Sequence, residues 1–563
     1  MAFAFSGFLL AQNNATSFDW SFNGGGGFNT TKRLHYNSQG DLIFLLDVGH
    51  QTIYGGTTIS YPGFGQFPGT ASFIGKRTQS GTSTVLIQKS TPNPTSTTFQ
   101  DFVIDNDDNI ILTGAIFGYN TTVFYDFGNG KTLYGKGNFI AKFNPQGVCQ
   151  WVTLVDYGLS GTISSSENKN IGLGILPNND IYYANRSTNG NSPFWLLKLN
   201  PAGTEIWHKE WILPNTNSVQ ILTSRNNFFF DNTGKAYFFI YCIQGDIVTL
   251  EGTLLTPPPG GHPSTTSLVT INNDGTNGVF TTYRGAIGDI AVEKTTGNVL
   301  INWGQYVQNP APFDTLPIAV NGTYQYGGIV AVDSNRNFIN HTNLLFSNSI
   351  GSIFPLGNLN FVTNTKMIPT ETITIPNQTF TATKYTPTWK FFENFVFTKF
   401  VAHPEINDNC TNYDLMALYN NKLAVSGGYN LANNPTIAVN GTTLTSCVND
   451  PNFATLYPVF ATSQSDVFIS QLTISSSLST EESTVFKLSL YPNPTSNNLN
   501  LTFENNLENA TIKIISTLGQ TVFEKQNISD NNFNYDVSNL SNGMYIVQVT
   551  NGSSITNSKF LKQ

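Results

Sequence analysis

Hydrophobic and polar positions fall into a clear pattern in the stretch that begins Asp105-Asn-Asp-Asp-Asn-Ile-Ile-Leu-Thr-Gly114 and continues to Gly158. Four short apolar runs cover 109–114, 123–127 with its return 132–135, 138–143 and 151–157. Between them stand Asp107-Asp-Asn109, Gly128-Asn-Gly-Lys131 and Asn144-Pro-Gln-Gly147. Short β-rich runs separated by Asn-Gly and Pro-Gly clusters predict consecutive antiparallel strands joined by tight turns. A single four-stranded unit of this kind buries only part of its apolar surface, so it should recur.

Three landmarks do recur, in one order. A turn leading into a strand returns at Asp41-Leu-Ile-Phe44, Asn109-Ile-Ile-Leu112, Asp180-Ile-Tyr-Tyr183, Lys235-Ala-Tyr-Phe238, Asn298-Val-Leu-Ile301, Asn358-Leu-Asn-Phe361 and Lys422-Leu-Ala-Val425, with a mean spacing of about 63 residues. A strand of the type Phe-Ile-x-Lys-Phe starts at Phe73, Phe139, Trp195, Leu268, Ile329, Phe395 and Val467, with fuller copies in Phe139-Ile-Ala-Lys-Phe143 and Phe395-Val-Phe-Thr-Lys-Phe400. A hairpin lies between the two, with tips at Asn129-Gly130, Glu251-Gly252, Asn321-Gly322, Asn377-Gln378 and Asn440-Gly441. The third copy is short and shows no evident hairpin.

Seven four-stranded units at this period predict a seven-bladed β-propeller rather than a solenoid. The ends of the array add to this. Trp151 and Trp207 each follow a Phe-Ile-x-Lys-Phe strand and supply the last strand of their unit, whereas Trp20, in Phe18-Asp-Trp-Ser-Phe22, has no such strand before it. The last copy, Phe468-Ile-Ser-Gln-Leu472, runs straight into a polar linker. Residues 18–22 are therefore expected to complete the last unit, which would remove two exposed sheet edges at once. The repeat resembles the SBBP-type propeller repeats of secreted bacterial proteins, with their Asp-x-x-Gly-Asn-x-Tyr-Val-Thr-Gly and Phe-Val-Ala-Lys-x-Asp-x-x-Gly segments. That resemblance covers about residues 12–472 and implies a fold rather than an activity.

Residues 473–485 are small and polar, as a linker should be. After them the period is lost. Leu488-Ser-Leu-Tyr-Pro-Asn-Pro-Thr495, Leu499-Asn-Leu-Thr-Phe503, Ala510-Thr-Ile-Lys-Ile-Ile515, Leu518-Gly-Gln-Thr-Val522, Leu540-Ser-Asn-Gly-Met-Tyr-Ile-Val-Gln-Val549 and Lys559-Phe-Leu-Lys562 predict a small Ig-like β-sandwich over 486–563. The prolines of Tyr491-Pro-Asn-Pro494 suit a sheet edge, because proline cannot donate to an interior ladder. This segment closely resembles the type A C-terminal sorting domain of the type IX secretion system of Bacteroidetes. The match rests on Tyr491, Pro492, Asn493 and Pro494, the turn at Gly519, Gly543 and Tyr545 of the Leu-Ser-x-Gly-x-Tyr run, and Lys559 of the Lys-Phe-Leu ending. Membership implies export across both membranes and recognition by the outer-membrane translocon and its shuttle protein. It also implies removal by a sortase-like peptidase, with release or surface attachment. An adhesive Ig-like domain without a sorting role is the plainer alternative.

Composition narrows the function. Charged residues make up 11%, aromatics 13%, and the chain holds 49 Gly and 26 Pro, which suits an all-β protein. A formal charge of −8 supplies no basic stripe for nucleic acid. No apolar run beyond the first dozen residues approaches the ~20 needed for a transmembrane helix. Residues 1–11 read as the apolar core of a signal peptide. They lack a basic n-region, since the first cation is Lys32, and a buried first strand is the alternative.

Candidate chemistry is sparse. Cys149, Cys242, Cys410 and Cys447 form no C-x-x-C pair; in an exported chain Cys410 and Cys447 could join, and buried free thiols are the other reading. The six histidines show no metal-ligand spacing, and no Gly-x-Ser-x-Gly elbow or phosphate loop occurs, so no catalytic residue, cofactor or metal is assigned. Asp105-Asn-Asp-Asp-Asn109 resembles the start of a calcium loop but lacks its glycine and its glutamate, so an Asx turn is the simpler expectation. Asp314-Thr-Leu316 matches the Bacteroidetes O-glycosylation sequon, which makes Thr315 a candidate acceptor. The long segment 379–393 carries Tyr385, Trp389 and Phe391, which could stack on sugar rings or plug gaps between blades. The combined expectation is a secreted or surface binding module for a glycan or protein, in adhesion or gliding. The second class is a polysaccharide-active glycosidase or lyase on the same scaffold.

Overall fold

A computed structural model describes residues 18–23, 30–48, 51–60, 71–88, 96–117, 124–155, 168–187, 193–212, 219–221, 228–243, 249–250, 253–254, 264–284, 287–304, 327–344, 352–367, 369–375, 378–383, 386–402, 410–420, 422–430, 436–439, 442–445, 465–473, 488–503, 507, 509–516, 520–551 and 554–563. Residues 1–11, expected to be a leader, lie outside this set, as do Thr315, Tyr385, Gly519 and Cys447. The chain divides into two compact units, Met1–Ile474 and Ser475–Gln563. Among the described residues every regular element is a β-strand.

In the first unit, seven antiparallel sheets of four or five strands follow one another among the described residues. The first holds Thr30–Tyr36, Leu42–Val48, Ala71–Arg77 and Ser83–Gln88 in spatial order, and the second holds Ser96–Ile104, Ile110–Phe117, Gly137–Phe143 and Cys149–Val155. Asn168–Ile175 through Glu205–Ile212 make the third. In the fourth, Val219–Ile221 and Phe228–Phe230 both pair with Ala236–Ile243, followed by Ser264–Ile271 and Asn277–Arg284. Ile287–Val292 to Phe338–Leu344 form the fifth and Ile353–Gly357 to Val396–Ala402 the sixth. The seventh is assembled from both ends of the unit: Cys410–Tyr419, Lys422–Asn430 and Ser465–Thr473, completed by Phe18–Asn23. Small hairpins such as Phe124–Asp126 with Thr132–Tyr134 leave the second strand of several sheets and return to the third.

One turn recurs throughout because one piece of chemistry recurs. In 144–148, 200–204, 272–276 and 333–337 the first amide donates to the fifth carbonyl, and the fourth amide donates to the first carbonyl. The side-chain oxygen of Asn144, Asn200 or Asp333 then accepts from the third and fifth amides. Such an Asx-supported turn needs a left-handed residue at its fourth position, usually glycine.

The sixth sheet corrects the sequence reading. Its third strand is Thr386–Glu393, and the run from Phe395 that was expected there forms the fourth strand, Val396–Ala402. The turn between them puts Asn394 (φ 46°) and Phe395 (φ 68°) in the left-handed region, a conformation costly for phenylalanine. Phe395 is only 6% exposed and sits 5.1 Å from the Phe361 ring, so its burial offsets the strain.

Packing between sheets follows chain order. Val103 and Ile111 of the second sheet share a core with Leu173, Tyr183 and Trp195 of the third, and equivalent clusters join third to fourth, fourth to fifth and fifth to sixth. The first sheet packs on the second on one side, and on the other its Leu34 and Phe44 share a core with Ala417, Ala424 and Ile469 of the seventh. Polar groups cross the same junction: Tyr36 Oη donates to Gln471 Oε1 at 2.7 Å, and Ser426 Oγ to Thr31 Oγ1 at 2.7 Å.

Outer strands lock onto the next sheet through tryptophan. Trp151 Nε1 donates to the Pro201 carbonyl at 3.2 Å, and its ring covers Gly203, where a Cβ would come within 2.9 Å of it. Trp207 does the same to Asn273 O, at 3.0 Å, over Gly275. Gly203 (φ +80°) therefore faces two constraints. Gly203→Ala should lower the unfolding free energy by about 1–3 kcal/mol for the left-handed backbone alone, with the ring clash in addition. Gly56 (φ +77°) has no atom near its Cβ position. Denaturant titration should accordingly show a smaller loss for Gly56→Ala than for Gly203→Ala.

In the second unit Leu488–Tyr491, Asn498–Phe503 and Asn532–Asp536 form one sheet, and Thr521–Ile528, Ala510–Ser516, Gly543–Asn551 and Ser554–Lys562 form another. Strict alternation in Asn498–Phe503 and Gly543–Asn551 turns Leu499, Leu501, Tyr545, Val547 and Val549 into a core shared by both sheets.

Candidate functional site

Two regions of the described structure concentrate functional chemistry: a clamp in the second unit and an ion-paired interior in the first. The clamp is built on Tyr491-Pro-Asn-Pro494. Lacking amide donors at 492 and 494, this segment leaves the sheet edge after Tyr491 and turns toward strand Ser554–Lys562. There Asn493 serves as a two-way reader: its Nδ2 donates to Lys559 O at 3.0 Å, and its Oδ1 accepts from Leu561 N at 2.9 Å. Thr495 continues the contact in backbone form, its amide donating to Leu561 O at 2.9 Å and its carbonyl accepting from Gln563 N at 2.9 Å. Thr495 itself is buried, and Asn500 Nδ2 fixes the Tyr491 carbonyl at 3.1 Å.

The remaining motif residues take up supporting places. Gly543 opens the strand opposite Lys562. Tyr545 stacks on Phe560 with ring centroids 5.5 Å apart, and its hydroxyl donates to Ser541 O at 2.9 Å. Lys559 offers its carbonyl to the clamp while its side chain stays exposed. Sequence reasoning missed Thr495 and Leu561. The parallel bridge between Thr495 and Lys562 joins segments 67 residues apart, and no local pattern announces it. Tyr491 is left 52% exposed and, with Met544 and Leu561, adds apolar surface to this unit.

In the first unit partly or fully buried charges stand in pairs. Arg33 forms a two-point ion pair with Asp101, its Nε at 2.6 Å from Oδ1 and its Nη2 on Oδ2. Lys32 meets Asp47 at 2.6 Å, and Asp47 also accepts from Ser72 Oγ at 2.6 Å. The repeat lysines Lys142 and Lys198 pair with Asp105 (2.8 Å) and Asp180 (3.1 Å). His35 lies edge-on to Phe102, and burial, reinforced by Arg33 and Lys294, pushes its pKa down to about 3, so the imidazole is neutral.

The calcium-like turn is explained by the same pairing. Asp105 Oδ1 accepts from the amides of Asp107 and Asn109, and Oδ2 is held by Lys142 and the Asn109 side chain. Burial would raise this carboxyl, but the hydrogen bonds and charge of Lys142 and Asn109 outweigh it and leave the pKa below the usual value. A lysine ammonium stands where a loop cation would need the carboxylate.

Of the aromatics that could stack on a sugar or plug gaps, two are placed inside the sheet. Trp389 is 0% and Phe391 5% exposed, because segment 386–393 is a strand and not a loop. Tyr385, Thr315 and Gly519 lie outside the described residues. Of the cysteines, Cys149 is a buried free thiol whose pKa burial pushes up to about 11. The side chains of Cys242, Cys410 and Cys447 are outside the described set.

Residues 489–563 match the family described as the secretion system C-terminal sorting domain. The tail is a type IX sorting domain. It marks the chain as secreted cargo of the type IX system, exported to the cell surface or the extracellular space. No curated protein matches the chain. Among solved structures, a protein of unknown function from Dyadobacter fermentans is similar at 9% identity over 82% of this chain and 97% of its own, with a TM-score of 0.35. The β-propeller domain of the trilobed protease from Pyrococcus furiosus is similar at 6% identity over 73% and 91%, with a TM-score of 0.37. PorZ, a surface component of the type IX system of Porphyromonas gingivalis, is similar at 9% identity over 95% and 82%, with a TM-score of 0.18.

Two measurements bear on these regions. Asn493→Ala removes both clamp hydrogen bonds and should destabilise the sorting domain by about 1–3 kcal/mol, from ~0.5–1.5 per bond. Hydrogen exchange at Leu561 should quicken in that variant. In the first unit, Lys390 is fully buried, and burial pushes its pKa down to about 7, with Glu371 only partly opposing. An unfolded lysine titrates near 10.4, so the unfolded chain holds the extra proton between the two values. Stability should therefore rise with pH across that window and stay level at its lowest value below about 7. Lys390→Met should melt higher than the parent at pH 6, and the gap should narrow toward pH 10.

Proposed function

We propose that this protein is a surface-displayed or released binding protein, a seven-bladed β-propeller delivered by its sorting domain. The observation that carries the propeller reading is the seventh sheet, which takes its last strand from Phe18–Asn23 and packs on the first sheet. A linear stack would have no reason to join its two ends, whereas a ring must. Residues 486–563, an Ig-like β-sandwich in this reading, serve as the address recognised by the outer-membrane translocon, its shuttle protein and the sortase-like peptidase. Binding is favoured over catalysis by the state of the carboxylates. Asp47, Asp101, Asp105 and Asp180 are each held by a cation, which leaves them poorly placed to exchange protons with a substrate. The partner in this reading is a glycan or a protein outside the cell, as adhesion or movement over a solid substrate would require.

Delivery can be tested in the producing bacterium. A chain lacking residues 486–563 should accumulate in the periplasm and disappear from the surface and the medium. Its arrival outside at the normal level would refute the address reading.

A further inference from the structure

The hairpin of the second sheet, Phe124–Asp126 with Thr132–Tyr134, has two unlike faces. Its inner face is fixed. Tyr125 and Phe127 are buried, with the Phe127 ring 4.8 Å from Phe139 and 4.7 Å from Tyr125. The tip is a tight Asn129-Gly130 turn, and Asn129 Nδ2 donates to Cys149 O at 2.9 Å. The outer face carries Phe124 directly opposite Tyr134, 42% and 72% exposed, with ring centroids 6.0 Å apart and planes tilted by 36°. The next pair on that face is Asp126 with Thr132, and Asp126 Oδ1 is oriented by the Gly128 amide at 2.8 Å.

Two exposed rings are unusual on an outer face whose other pair is polar. An aromatic side chain offers about 150–250 Å², so the exposed parts of these two amount to roughly 200 Å². A specific protein interface takes about 800 Å² from each partner, so the platform is too small for one. Nucleobases also stack on aromatic pairs, but their phosphates call for a basic groove. Here the neighbour is a carboxylate, on a chain of net charge −8. A pyranose fits both features. Its C–H face is apolar and of ring size, and its equatorial hydroxyls donate to a carboxylate beside the platform.

We propose that Phe124 and Tyr134 form a stacking platform for one or two sugar rings of a neutral polysaccharide, with Asp126 accepting from sugar hydroxyls and disfavouring acidic sugars. This rests on the binding-protein reading and locates its site on this hairpin. The test is affinity electrophoresis of the full chain through gels containing neutral polysaccharides (glucans, mannan, xylan, agarose) or the acidic polymer alginate. The full chain should be retarded by at least one neutral polymer. Phe124→Ala with Tyr134→Ala should weaken that retention about tenfold or more, and Phe124→Trp with Tyr134→Trp should keep it. If the double alanine variant does not fold, Tyr134→Ala alone carries the test, because that ring is mostly in solvent. Retention unchanged by these variants overturns the site and leaves the binding reading standing. Retention by alginate alone overturns the neutral class, and retention by no polymer overturns the proposal. In that last case, capture of a purified surface protein by the full chain would preserve the broader reading.

Discussion

The first unit depends on the need to cover both faces of every sheet. Central strands of the first two sheets are buried on both sides: Leu42–Val48 is buried along its whole length, and so is Gly137–Phe143. Strands buried on both sides cannot face water, so a sheet built on them must be covered on two sides. In a row, the first and last sheets would each keep a bare face. The junction of Leu34 and Phe44 with Ala417, Ala424 and Ile469 is where the first sheet meets that requirement on its second side. Strand Phe18–Asn23 completes the junction, since it pairs with Ser465–Thr473 and tethers the start of the unit to its finish.

Charge in the interior follows the same logic at smaller scale. Lys32, Arg33, Lys142 and Lys198 are drawn into partly or fully buried positions, and each is matched with an aspartate. Such pairs contribute little net stability against an apolar substitute but penalise any register that would separate them. A repeat that reuses one pattern seven times has many near-equivalent ways to mispair. The bidentate Arg33–Asp101 contact joins first and second sheets and can form in only one of them.

How much of this was legible in the sequence varies from residue to residue. The second strands could be read directly, because Asp or Asn before an apolar run is turn chemistry with a mechanism, and Leu42, Ile110, Ile181 and Val299 all follow such a residue. The ion pairs could not be read, since Lys142 lies on a strand and Asp105 in a turn whose spacing gives no hint of contact. The sixth sheet was misread for a definite reason. Trp389-Lys-Phe-Phe392 and Phe395-Val-Phe-Thr-Lys-Phe400 are two similar apolar runs side by side, and the usual Asn-Gly mark of a hairpin is replaced by Asn394-Phe395. Packing of Phe395 overrode turn preference, which only the folded core can reveal. The same error hid the fate of Trp389, taken for a loop residue and found inside. Phe124 and Tyr134, by contrast, read as ordinary hairpin positions, because sequence alternation does not say which face of a hairpin meets the core.

The sorting unit shows why a short motif can act as an address. Tyr-Pro-Asn-Pro has no regular structure of its own to recognise. Asn493 gives it one by borrowing the backbone of Lys559 and Leu561, and Thr495 extends the contact to Gln563. The turn and the strand it grips therefore form together, although 63 residues of other sequence separate Thr495 from Lys559. A chain that has not yet assembled its core at Leu499, Ile512 and Val547 presents no such clamp. The shape of the motif is thereby coupled to folding: its hydrogen bonds are available only after the apolar faces of both sheets have closed on each other.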